Sequence, residues 1–237
     1  MKKLIGILFI AGAVLVNIPY MLLISNFNYP DILREPASAV LTKFAEGGNP
    51  LILTWLAFAL AGLPLLFAVI MLGKVWADKS KTLAGLATTF GVIGLVAQLV
   101  GLLRWVFVVP VLARNFVSSS ATDITRESSL VAFQTVNQFG GVLLGEYVGQ
   151  LFTILSMILF SILIIRKKLL SAWVAWLGFI ASVVYLLSQT ELLHTVMPSF
   201  PVIDIAGFAG SVLWLIWMIS LGVLLIRDKN ITTSKTR

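Results

Sequence analysis

Six long apolar runs alternate with short polar segments along the chain, near residues 4–25, 51–73, 82–112, 140–165, 169–190 and 203–226. A helix needs about 20 apolar residues to cross about 30 Å of hydrocarbon, so each run predicts a membrane span. The third run is too long for one straight span and contains Arg104 and Pro110. It is expected to cross and then continue along the interface, where Trp105 and Phe107 are well placed. Between the first two runs the pattern changes. Ala37, Val40, Leu41 and Phe44 form one apolar stripe at helical spacing, with Pro36 placed to start a helix and Gly47 to close it. That pattern predicts a short amphipathic helix lying on the interface or capping the bundle. The Ser- and Thr-rich segment from about 113 to 138 predicts a second short helix, from Ile124 to Val136.

The fold class that follows is all-α: an integral membrane helical bundle of six transmembrane helices, with an outer amphipathic helix in the first loop, forming a single domain over 1–237. Lys2 and Lys3 ahead of an apolar stretch and Ala11-Gly12-Ala13 have the outline of a secretory signal peptide. The run continues through Leu15, Ile18, Met21 and Ile24 to spanning length, and a membrane helix tolerates the interruption at Pro19. An uncleaved first helix is expected.

Composition sharpens the class. Apolar residues make up 59% of the chain and charged ones 11%, with a mean hydropathy of +1.02. Soluble domains carry about 25% charged residues, so this chain has too few charges to cover a water-facing surface. With no Cys, disulfides, thiolate metal sites and cysteine nucleophiles are excluded. The pI near 9.9 does not point to nucleic acid, because the basic residues stand in short clusters between apolar runs rather than on one soluble face.

Those clusters orient the chain. Lys2, Lys3, Lys74, Lys79, Lys81, Arg166, Lys167, Lys168, Arg227, Lys229, Lys235 and Arg237 fall on one side, twelve of the 17 Lys and Arg residues. Arg34, Lys43, Arg104, Arg114 and Arg126 fall elsewhere. The positive-inside rule then places both termini and the loops around 74–81 and 166–168 in the cytoplasm of a multi-pass plasma-membrane protein, with the lipid bilayer as its first partner.

Polar residues inside the spans carry the candidate chemistry. Arg104 lies 23 residues beyond Lys81, and Glu146 lies 20 residues before Arg166. At about 1.5 Å per residue these are roughly 34 Å and 30 Å from the inner anchors, the outer edge of the hydrocarbon in both cases. Intramembrane charges are costly and usually paired, so an Arg104–Glu146 ion pair is expected. Glu191 and Asp204 fall at the same boundary, with His194 just beyond. Glu146, Gln150 and Thr153 form a stripe on the fourth span, beside Gly141, Gly145 and Gly149, two overlapping GxxxG units that let another helix approach. Ala97, Gly101 and Arg104 share a face of the third span. If the two faces meet, with Gln98 and Gln150 deeper, they line an outward-facing polar cleft. Against this stands the plainer reading, in which Arg104 and Glu146 tie two helices together and the glycines only pack. Glu191-x-x-His194 has the spacing of a carboxylate–histidine metal pair, but it is a lone pair with the chain's one His, and zinc sites draw three or four ligands. No metal site, cofactor or catalytic set is expected: a G-x-S-x-G elbow and a phosphate-binding glycine loop are both missing, and one His cannot supply paired haem ligands.

Several segments resemble the bacterial membrane proteins grouped as domain of unknown function 4386. These are Asn28-Tyr29-Pro30-Asp31-Ile32-Leu33-Arg34-Glu35-Pro36, the Gly47-Gly48 turn into Leu51-Ile52-Leu53-Thr54-Trp55, Leu103-Arg104-Trp105-Val106-Phe107-Val108-Val109-Pro110, and Gly145-Glu146-Tyr147-Val148-Gly149. The resemblance spans nearly the whole chain and implies a polytopic membrane protein without assigning an activity. Where that family frequently has His after the Glu, this chain has Tyr147, which weakens a proton relay built on the pair.

Three functions compete. The first is binding or transport of a small or lipid-like ligand through the polar cleft. The second is an accessory role through helix–helix contacts along the glycines, with an oligomer or a partner membrane protein. The third is a membrane enzyme using an outer-face carboxylate, and it lacks a nucleophile or metal set. The orientation itself is testable with single cysteines at Ser80, Ser119 and Ser234. In intact cells an impermeant thiol reagent should reach only position 119, and labelling at position 80 would reverse the topology.

Overall fold

The computed structural model describes residues 1–228; Lys229, Lys235, Arg237 and the labelling position Ser234 lie outside them. Every regular element among the described residues is helical. Helix α1 (Lys2–Phe27) leads to a short 3-10 turn, Asp31–Arg34, and then to α2 (Ala37–Ala61) and α3 (Leu63–Trp76). Next come α4 (Lys81–Phe107), α5 (Val109–Val117) and α6 (Asp123–Val136), followed by a π-helix, Asn137–Val148, that runs into α7 (Gly149–Lys167). Helices α8 (Ala172–Leu187), α9 (Gln189–His194) and α10 (Asp204–Arg227) complete the chain. Joined end to end they give six stretches long and apolar enough to cross a membrane: Lys2–Phe27, Ala37–Trp76, Lys81–Val117, Asp123–Lys167, Ala172–His194 and Asp204–Arg227. The chain is an all-α, multi-pass membrane protein.

The breaks within these stretches have local causes. Inside α2, Gly48 sits at φ 52°, ψ −149°, a conformation that a side chain resists, so the segment from Ala37 bends there before entering the membrane span. Pro64, just after the Gly62 cap, separates α2 from α3. Pro110, in the first turn of α5, separates it from α4, as the continuation of the third run past Arg104 anticipates. Thr122 caps α6 by accepting a hydrogen bond from the Thr125 amide at 3.2 Å.

The contacts group into two compact units interleaved along the chain. One comprises Met1–Ala13, Leu63–Leu95 and the chain from Gly149 onward; the other comprises Val14–Gly62 and Val96–Val148. In the first unit, α8 packs against both α7 and α10. Its core includes Ile5, Phe9, Leu72, Trp76, Phe160, Trp217 and Leu221. Small residues allow the close approaches that membrane helices need. A Cβ on Gly222 would stand 2.7 Å from the Gly6 carbonyl oxygen, and one on Gly94 would stand 2.8 Å from that of Gly149. Ser156 Oγ donates to the Ala87 carbonyl at 2.7 Å, and Lys2 pairs with Asp228 at 2.7 Å.

The second unit is built around aromatic rings. Trp55 and Trp105 stack with centroids 4.8 Å apart, Phe44 stacks on Trp105 at 5.6 Å, and Phe27 meets all three edge-on. The amphipathic stripe of the first connecting segment belongs to this core: Val40, Leu41 and Phe44 are buried, with Ala37 packed beside them. Here the helix caps hydrophobic surface rather than floating on an interface. Gly101 of α4 crosses Gly145 of the π-helix backbone to backbone, so that a Cβ on Gly145 would lie 3.2 Å from the Gly101 Cα.

That crossing predicts an asymmetry between neighbours. Gly145→Leu forces the two backbones apart and should destabilise the detergent-solubilised protein by about 1–3 kcal/mol or more. Leu143→Ala, at a position 47% exposed, should cost no more than about 0.5 kcal/mol. Thermal unfolding of the two variants side by side checks this; equal losses would mean that Gly145 faces lipid.

Candidate functional site

Arg104 is the one charged residue among the buried positions of the described chain, 8% exposed in the last turn of α4. A guanidinium there loses its hydration and must be satisfied from within. Its Nη1 donates to the Gly101 carbonyl at 2.6 Å and its Nη2 to Asn137 Oδ1 at 3.1 Å. Its Cζ lies 5.0 Å from the Trp105 ring centroid, a cation–π distance. Its Nε, buried as well, has no hydrogen-bond acceptor. Both acceptors are neutral.

The π-helix makes room for this side chain. A π-helix closes its hydrogen bonds one residue further on than an α-helix, and it is rare, short and frequent at functional sites. This one runs for 12 residues and carries Gly140, Gly141 and Gly145. The guanidinium lies directly on Gly141, where a Cβ would sit 2.7 Å from Cζ and closer still to Nη2. Asn137 opens the same segment, so one stretch of backbone supplies both the seat and the side-chain acceptor.

Glu146 does not pair with Arg104, contrary to expectation. Its Oε2 accepts from Arg34 Nη2 at 3.0 Å, with the two side chains 24% and 32% exposed. The physical reason is twofold. Asn137 and Gly101 already hold the two Nη groups of Arg104. The 3-10 turn, meanwhile, anchored by buried Ile32, delivers Arg34 from a connecting segment that a ruler laid along the spans does not measure. Glu146 nevertheless follows Gly145, which meets Gly101 one turn before Arg104, so the Arg34–Glu146 pair and Arg104 form one cluster within the second unit.

The other sequence-predicted residues separate. Gln98, half-buried on α4, belongs to the unit of Arg104 and Glu146, as do Gly141 and Gly145. Gln150, Glu191, His194, Asp204 and Gly149 belong to the other unit. There the Gln150 side-chain oxygen accepts from Gln189 Nε2 and, at 3.4 Å, from Ser188 Oγ. His194 is exposed, with Nδ1 2.9 Å from the Phe200 carbonyl oxygen. Glu191 and Asp204 occupy the first turns of α9 and α10, where a carboxylate complements the helix dipole. Among the described residues no three His, Asp or Glu side chains come together as a metal would require. The anticipated cleft between the third and fourth spans is closed at the Gly101–Gly145 crossing, where backbone meets backbone.

Arg34, Asn137 and Gln189 were not singled out from the sequence. Arg34 carried a signal, since it stands within the Asn28–Pro36 segment on which the family resemblance rests. Asn137 and Gln189 carried none, being ordinary polar residues at the ends of apolar runs.

Over residues 4–222 the chain matches the family model described as "Domain of unknown function (DUF4386)". No curated protein and no solved structure matches it.

The pairing is open to a double-mutant cycle read as thermal stability in detergent. Arg34→Met and Glu146→Gln should show a coupling of about 0.2–1 kcal/mol, as befits a partly exposed ion pair. Arg104→Met with Glu146→Gln should couple more weakly. The reverse order would restore the Arg104–Glu146 pair.

Proposed function

The chain belongs to the DUF4386 family, and we propose that this multi-pass membrane protein binds a small or lipid-like ligand at the Arg104–Glu146–Arg34 cluster. The site faces the outside of the plasma membrane, and both termini are cytoplasmic. The observation that carries this reading is Arg104, a buried guanidinium held only by neutral acceptors and with Nε unused. Purely structural buried charges are usually paired with opposite ones, and an intramembrane ionisable group without such a pair marks a ligand or ion pathway. The Lys/Arg clusters near 74–81 and 166–168 support the orientation.

The competing readings have less support. An accessory role needs the glycine stripe as a docking face, yet Gly145 is covered by Gly101, and Gly141 by the Arg104 side chain. An enzyme would need a free base. Glu146 is held by Arg34, and the His194 ring is engaged by the Phe200 carbonyl.

Ligand binding predicts stabilisation by mass action. Purified protein in a neutral maltoside detergent should gain roughly 5 °C in Tm when at least one of dihexanoyl phosphatidic acid, dihexanoylglycerol, hexanoate or inorganic phosphate is present well above its Kd. Arg104→Met and Arg34→Met, each checked for monodispersity, should lose most of that gain. Identical responses in wild type and both variants would exclude the cluster as the site.

A further inference from the structure

Resting on that reading of the cluster, we propose that its ligand carries an oxyanion, a phosphate or a carboxylate, which binds Arg104 by exchange with Glu146. The charges lead there. Arg104 hydrogen-bonds only to neutral acceptors, while the Glu146 carboxylate in the same unit bonds to Arg34. The carboxylate nearest in this cluster bonds to Arg34 and leaves the Arg104 guanidinium without an ion-pair partner. That unneutralised guanidinium is 8% exposed and lies 5.0 Å from the Trp105 ring centroid. In such surroundings an unneutralised charge attracts an anion far more strongly than at a wet surface.

Donor geometry narrows the class. Nε–H is one of the two donors on the side edge of a guanidinium, the edge that binds carboxylate and phosphate in a two-pronged manner. At Arg104 that Nε has no acceptor, while Nη1 is committed to a carbonyl and Nη2 to a side-chain amide oxygen. An incoming oxyanion supplies the missing acceptor together with the missing charge. A neutral head can offer an acceptor but not the charge, and a cationic head adds charge of the wrong sign.

Glu146 sets the terms of entry. The Arg34–Glu146 pair is partly exposed, and such pairs are weak enough to yield to a competing anion. Glu146 is thus an internal surrogate for the ligand: its carboxylate partly neutralises the two arginines until an external oxyanion displaces it. This predicts that Glu146→Gln, which removes the competitor but keeps the shape, tightens oxyanion binding rather than abolishing it.

The experiment uses the full chain in neutral maltoside at constant ionic strength. Apparent Kd is read from Tm shifts and tryptophan fluorescence for dihexanoyl phosphatidic acid, hexanoate, inorganic phosphate and the uncharged dihexanoylglycerol. The two acid amphiphiles should bind the wild type and dihexanoylglycerol should not. Glu146→Gln should tighten their binding by about three- to tenfold, because the binding-competent fraction rises. Arg104→Met should lose it. If inorganic phosphate alone reproduces the effect, the source is a free anion; if only the amphiphiles do, it is a lipid head group. Either result supports the oxyanion class. Equal binding of dihexanoylglycerol overturns that class while leaving a ligand site in place, and weaker binding by Glu146→Gln overturns the exchange. No response to any probe in wild type and Glu146→Gln alike removes both the site and its ligand.

Discussion

A guanidinium buried against an indole ring, inside a chain that lives in lipid, has to find every partner within the protein. Around Arg104 that requirement organises half of the molecule. Gly101, one turn earlier on the same helix, offers a carbonyl. Asn137 offers an amide oxygen, and the π-helix that Asn137 opens presents a glycine where any side chain would collide with the guanidinium. The same absence of side chains lets Gly145 touch Gly101, so the third and fourth spans meet without a gap at that point. Trp105, 5.0 Å from the guanidinium, stacks with Trp55 and with Phe44, which binds the capping helix to the unit.

The arrangement is well packed and electrically incomplete. The Glu146 carboxylate bonds to Arg34, the more exposed arginine, while the buried Arg104 bonds to neutral acceptors. A protein that needed only a structural tie would gain by pairing the buried guanidinium first, since the desolvation cost is largest there. The opposite distribution supports the proposed ligand site, with Arg104 Nε lacking an acceptor and a partly exposed ion pair in the same unit.

Much of the fold was legible in the sequence because membrane spans announce themselves by length and apolarity. The amphipathic stripe of Val40, Leu41 and Phe44 and the short helix ending at Val136 were equally plain, since both rest on a 3.6-residue period. The π-helix was not legible. Its glycines read as a packing motif, and nothing in a one-dimensional period separates a wide turn from an ordinary one. The pairing of Glu146 was misread for a related reason. Distances counted along straight helices ranked Arg104 as its neighbour, whereas Arg34 reaches it from a turn folded back by Ile32, a displacement that only tertiary packing determines. The sequence places Gln150 deeper in the bundle beside Gln98 and Glu191 at a span boundary, but height along a span says nothing about which side chains share a unit.

The account stands or falls on Arg104 lying flat on Gly141. The most direct measurement is the coupling between Gly141→Ala and Arg104→Met, read as thermal stability of the detergent-solubilised protein. A methyl group at position 141 should destabilise the wild type by about 1–3 kcal/mol by dislodging the guanidinium. It should be close to neutral once Arg104 is Met, whose flexible thioether can yield. Losses that simply add would place the guanidinium elsewhere and contradict the site.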